Sequence, residues 1–224
     1  MRAEYGGTNA VNGRMKMGEE KVMIPVDKEV TLEGGYTPAG DAPPGGVVVL
    51  HPHPLYGGST HNNVVETCGR AAHEAGWAAL RFNFRGVGGS TGRHDQGQGE
   101  QKDVLAAARW LAGRVPGRLV LVGYSFGSLV GSQAAPRMSN LAGGVWVAPP
   151  LILGPLASWP QDAGPLLLIA GESDQYTDLG ELKAYVQELG SRGLLYTLDG
   201  VDHFFWNAES VLFEKIREFL SHLN

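Results

Sequence analysis

The sequence predicts an α/β fold: a mostly parallel, doubly wound sheet of about eight strands with helices on both faces. Two observations predict it. The runs Val47 to Leu50, Trp77 to Phe84, Leu119 to Val122, Gly144 to Ala148 and Leu166 to Ala170 are near-continuous in apolar residues rather than alternating, as expected of parallel strands covered on both sides. The stretches between them carry apolar residues at helical spacing.

In chain order, residues 1–18 hold four glycines and two asparagines without apolar periodicity, and read as a flexible leader. Residues 19–224 read as a single domain. Lys21 to Val26 and Glu29 to Tyr36 are β-rich runs separated by Asp27, which suggests an antiparallel pair at a sheet edge. After the Val47 run, Val64, Cys68, Ala71, Ala72 and Ala75 share one helical face before Gly76. A polar, glycine-rich loop runs from Ser90 to Gly99, and Val104, Leu105, Ala108 and Leu111 form the next stripe. Ser128 to Ala135 continues the Leu119 strand as a helix. Leu182, Tyr185, Val186 and Leu189 make another stripe, Leu194 to Leu198 a further strand, and Val211, Leu212, Lys215, Ile216, Phe219 and Leu220 the face of a closing helix. The crossover from Pro149 to Pro165 is too short and too rich in proline to build a helical cap.

Composition narrows the function. The formal charge of −5 and the absence of a Lys/Arg cluster give nucleic acid no footing. A single cysteine, Cys68, cannot form an internal disulfide, and no secretory signal or run long enough to span a membrane is present. The expectation is a soluble, cytoplasmic protein acting on a small molecule. Neither the P-loop nor the dinucleotide glycine pattern occurs, so no nucleotide cofactor is expected.

Gly-x-Ser-x-Gly occurs twice, at Gly123-Tyr124-Ser125-Phe126-Gly127 and at Gly88-Gly89-Ser90-Thr91-Gly92. Only the first lies between a strand and a helix, the context in which a strained turn exposes a serine hydroxyl as a nucleophile. The alternative for Ser125 is a structural serine in a tight turn. A serine needs a base to take its proton and a carboxylate to orient that base. Asp174 follows the Leu166 strand, and His203 lies in the loop before the last helix, completing the order Ser, Asp, His. Asp178, Asp199 and Asp202 compete for the acid role. The oxyanion of an acyl transfer needs backbone N–H donors. Phe126 supplies one candidate. The loop His51-Pro52-His53-Pro54-Leu55-Tyr56-Gly57-Gly58 supplies the other, with His53 favoured over Leu55 and Tyr56, since proline has no N–H. Tyr56, Leu151, Trp159 and Phe204 are candidate substrate contacts.

These motifs, together with Asn83-Phe84-Arg85-Gly86-Val87-Gly88-Gly89-Ser90, Gly171-Glu172-Ser173-Asp174 and Asp202-His203-Phe204-Phe205, resemble those of small bacterial α/β-hydrolases near dienelactone hydrolase. The resemblance runs from about residue 21 to the end and implies the α/β-hydrolase fold and an esterase-like serine hydrolase with little or no cap. It departs at the nucleophile, which is cysteine in dienelactone hydrolases proper. The function expected is cleavage of small or short-acyl carboxylic esters by Ser125, His203 and Asp174, without cofactor or metal. Two rivals stand beside it: a metal-dependent hydrolase using His51 and His53, and a hydrolase-like fold serving as a non-catalytic binding module.

Overall fold

The computed structural model of the protein describes residues 18–223. The leader reading of residues 1–18 therefore falls, apart from Gly18, outside the described residues. The strands are β1 (Glu20–Pro25), β2 (Thr31–Thr37), β3 (Gly45–Leu50), β4 (Ala78–Phe82), β5 (Arg118–Tyr124), β6 (Leu141–Val147), β7 (Leu166–Gly171) and β8 (Gly193–Leu198). They form one sheet in the order β1-β2-β4-β3-β5-β6-β7-β8. β1 and β2 are the antiparallel edge pair, and β2 also runs antiparallel to β4; every other neighbouring pair is parallel. Asp27 closes the edge turn by accepting the N–H groups of Glu29 and Val30, both at 2.9 Å.

Helices α1 (Asn63–Glu74), α2 (Gln98–Ala112), α3 (Phe126–Ala134), α4 (Leu179–Leu189) and α5 (Glu209–Ser221) lie on both faces of the sheet. Val47 and Val49 point to the side of α1 and α5, while Val48 and Leu50 point to the side of α2, α3 and α4. This double covering explains why β3 is apolar throughout. Each such buried side chain contributes on the order of 2 kcal/mol relative to exposure. Asn62 caps α1 by accepting the Val64 and Val65 N–H groups, and Asp178 does the same for α4 with Gly180 and Glu181.

α2 begins well before its apolar stripe. Gly97 and Gly99 read as loop, yet Gly97 takes a left-handed conformation (φ 89°) ahead of the first turn, and Glu100 reaches back to accept its N–H. Gly99 is needed for close approach, because a Cβ there would stand 2.2 Å from Arg85 Nη1. The crossover after β6 holds only a short 3-10 turn, Leu151–Leu153, and among the described residues no cap covers the sheet. No helix among the described residues is long and apolar enough to cross a membrane.

Candidate active site

β5 ends at Tyr124 and α3 starts at Phe126, which leaves Ser125 alone to reverse the chain. Its φ of 53° lies where L-residues are strained, a cost of about 1–3 kcal/mol that surrounding structure must hold in place. Ser125 N–H donates to Val147 O at 2.9 Å, and Ser125 O accepts from Ser128 N at 2.8 Å and Ser128 Oγ at 2.6 Å. The flanking glycines are required by packing: a Cβ on Gly123 would lie 2.6 Å from Gly127 O, and one on Gly127 would lie 2.5 Å from Leu50 O. Nothing larger fits this turn.

Asp174 and His203 come to the same point from the carboxyl ends of β7 and β8. His203 Nδ1 is 2.8 Å from Asp174 Oδ2, and His203 Nε2 is 2.9 Å from Ser125 Oγ. An ionised carboxylate only accepts, so Nδ1 carries the proton and Nε2 is left to accept from the serine hydroxyl. Burial works to raise the Asp174 pKa, but hydrogen bonds from His203, from Tyr176 N–H (2.8 Å) and from Thr177 outweigh it and hold the carboxyl below the usual range. Tyr124 OH donates to His203 O at 2.9 Å, and the Tyr176 ring lies 4.7 Å from the imidazole, so His203 is fixed at backbone and ring. The arrangement can move a proton from Ser125 to His203 while Asp174 stabilises the resulting imidazolium.

On the other side of Ser125, His51 braces the loop after β3. The Phe84 N–H donates to its Nε2 at 2.9 Å, and its Nδ1–H donates to Pro52 O at 2.6 Å. Burial pushes its pKa down to about 4, so it is neutral. With both ring nitrogens engaged, His51 has no lone pair to offer a metal ion, which removes one half of the His51/His53 pair. Among the candidate oxyanion donors, Leu55 N–H is taken by His53 Nδ1 at 3.2 Å and Tyr56 N–H by His53 O at 3.1 Å. The amides of His53 and Phe126 have no acceptor among the described residues.

A cavity of about 660 Å³ opens at Ser125, lined among others by His53, Tyr56, Leu153, Tyr176, His203 and Phe204. Tyr56 and Phe204, expected at the substrate, are there. Tyr176 was not anticipated; it is two residues past Asp174, and the turn that presents the acid also presents its ring.

No protein-family model matches the chain. It is 32% identical to an α/β serine hydrolase homologue from Coxiella burnetii of solved structure, with a TM-score of 0.81 over 97% of this chain and 100% of the other. A member of the α/β serine hydrolases without a lid, from Xanthomonas campestris, is 31% identical over 92% of this chain and 93% of its own, with a TM-score of 0.77. The chain belongs to the α/β serine hydrolase family. An uncharacterized protein of Rickettsia prowazekii (strain Madrid E) is similarly related, at 31% identity over 86% of this chain and 85% of the relative.

Two of the expected substrate contacts of this hydrolase lie elsewhere. Trp159 is 3% exposed, packs edge-on against Trp146 at 5.8 Å and donates its Nε1–H to Gly164 O at 2.8 Å. It seals the core behind β6. Leu151 faces a separate surface depression shared with Leu156, Leu182 and Tyr185. Both expectations took nearness to Ala148 in sequence for nearness to Ser125, but within the crossover Pro150 and Leu153 line the cavity while Leu151 is turned toward α4 and Trp159 packs into the core. The second motif serine, Ser90, is used up structurally: its Oγ–H donates to Asn83 O at 2.7 Å and its oxygen accepts the Glu33 N–H at 2.9 Å.

Proposed function

We propose that this hydrolase is a carboxylesterase that cleaves small or short-acyl esters with Ser125 as nucleophile, His203 as base and then acid, and Asp174 as the orienting carboxylate. The carrying observation is the unbroken hydrogen-bonded series from Asp174 through His203 to Ser125, opening on a cavity that no cap covers among the described residues. His203 takes the hydroxyl proton as Ser125 Oγ attacks the ester carbonyl. The amides of Phe126 and His53 receive the oxyanion, the first with the help of the positive end of α3. Collapse of the tetrahedral intermediate expels the alcohol, which takes the proton back from His203. Water then repeats the sequence on the acyl-enzyme and releases the acid.

The serine assignment gains support from the state of Cys68. It is fully buried, and burial pushes its thiol up to about 12, so no thiolate is available to act in the manner of dienelactone hydrolases proper. Leu55, Tyr56, Ile152, Leu153, Phe204 and Trp206 are exposed, several of them on the cavity rim, which suits an apolar substrate entering from an open surface.

The test is labelling with a fluorophosphonate probe followed by peptide mapping, on wild type, Ser125→Ala and Ser90→Ala. The probe is expected on Ser125 in wild type and Ser90→Ala, and nowhere in Ser125→Ala, with ester turnover following the same pattern. Labelling at Ser90, or normal turnover in folded Ser125→Ala, would refute the assignment.

A further inference from the structure

The loop between β4 and α2 carries no chemistry in the sequence reading, yet it delivers a side chain to the oxyanion side of the site. His94, only 13% exposed, places its ring 4.9 Å from that of His53 and 5.7 Å from that of Phe126, whose rings are themselves 4.8 Å apart. These are the two residues whose amides have no acceptor among the described residues.

The turn that follows His94 is built on a fully buried carboxylate. Glu100 Oε1 accepts Asp95 N–H at 2.9 Å and Oε2 accepts Gly97 N–H at 2.8 Å, which stabilises a turn with two successive left-handed residues, Gln96 (φ 51°) and Gly97 (φ 89°). Oε1 also stands 2.9 Å from the buried His94 Nδ1, out of line for a hydrogen bond. Burying a carboxylate is costly unless it is satisfied, and the partners of Glu100 all belong to this turn. The turn is in turn anchored by Arg85, which binds Asp103 through Nη2 at 2.7 Å and through Nε, and lies against Gly99.

We propose that His94 is a positioning residue for the oxyanion hole: placed by the turn built on Glu100, its ring buttresses His53 and Phe126 so that their two N–H groups converge on one oxygen. The inference rests on the reading of Ser125 as nucleophile and of these amides as oxyanion donors. Its physical basis is the tolerance of such a site. Donors must lie about 2.7–3.1 Å from the developing oxyanion, so a loop displaced by a few tenths of an ångström loses transition-state stabilisation while still binding substrate.

The experiment compares p-nitrophenyl butyrate kinetics and thermal unfolding for wild type, Ser125→Ala, His94→Ala and His94→Phe. Deleting an oxyanion donor outright costs about 10²–10³ in kcat, so loosening the pair in His94→Ala should cost about 10- to 100-fold in kcat with KM within about threefold. His94→Phe restores the ring and should recover kcat to within about threefold of wild type, while melting lower because Glu100 has lost its polar neighbour. A purely structural role would lower the melting temperature and leave kcat of the folded variants unmoved. If His94→Ala does not fold, His94→Leu, which keeps volume without the flat ring, replaces it with the same expected loss. Unchanged kcat in His94→Ala, or an equal loss in His94→Phe, overturns the buttress alone. A wild type inert to the ester, or one as active as its Ser125→Ala variant, overturns the reading of the site and the buttress with it.

Discussion

Lowering the pH from 7 to 5 should cost this hydrolase about 2 kcal/mol of folding stability through one side chain, His51. The imidazole is completely buried, its Nε2 accepts the Phe84 N–H, and burial brings its pKa from 6.5 down to about 4. Because the folded value lies below the unfolded one, the unfolded chain takes up the proton first as pH falls, and stability is lost between about 6.5 and 4. A difference of one in pKa corresponds to about 1.4 kcal/mol, so the loss is about 2 kcal/mol at pH 5 and about 3 kcal/mol once pH falls below 4. Urea unfolding of wild type and His51→Gln at pH 7.5 and 5.0 measures it, because acid effects on all other groups cancel in the comparison. At pH 7.5 the variant should be less stable by about 1–3 kcal/mol, the usual cost of disturbing a buried hydrogen bond. At pH 5.0 that gap should narrow by about 2 kcal/mol. A gap that stays constant to within about 0.5 kcal/mol would show that His51 is not held neutral by burial, and the account of how the loop after β3 is braced would fail.

Four further outcomes are expected. Asp174→Asn should reduce kcat by about 10³–10⁴ by misorienting His203, while Asp199→Asn and Asp202→Asn stay near wild type. Asp178→Ala should lose only its cap on α4, about 1 kcal/mol by urea unfolding, with kcat unchanged; a larger kinetic loss there than at Asp174 would move the acid role. Asp103→Ala should destabilise the protein by about 3–5 kcal/mol, since it strands the Arg85 guanidinium in the core, and a loss under about 1 kcal/mol would mean that Arg85 finds water. In a p-nitrophenyl ester series kept below micelle concentrations, kcat/KM should peak at roughly two to six acyl carbons, because each methylene gains about 0.8 kcal/mol only while it is being buried; a maximum at dodecanoyl or longer would refute the short-acyl reading.

What was legible in the sequence is what depends on local chemistry. β3 and β5 announce themselves because strands buried on both faces tolerate no alternation, and Val47 to Leu50 and Leu119 to Val122 contain none. Ser125 could be separated from Ser90 because the elbow needs a strand before it and a helix after it, and that context lies within a few residues of the motif. The illegible parts depend on where remote segments meet. Trp159 and Leu151 were misplaced because the path of the crossover is set by packing against Trp146 and α4, which no local pattern records. The start of α2 was hidden for a related reason: Gly97 and Gly99 look like chain-breakers, but one is a cap and the other makes room for Arg85 from the preceding loop. The contrast between the two serines makes the same point at atomic scale. Both sit in Gly-x-Ser-x-Gly and both are buried, Ser125 at 8% exposure and Ser90 at 7%. The hydroxyl of Ser90 meets a backbone carbonyl, which can only accept its hydrogen bond; that of Ser125 meets an imidazole nitrogen, which can take the proton. The capacity to react lies in the partner, and that partner is set by how β5 and β8 are ordered in the sheet.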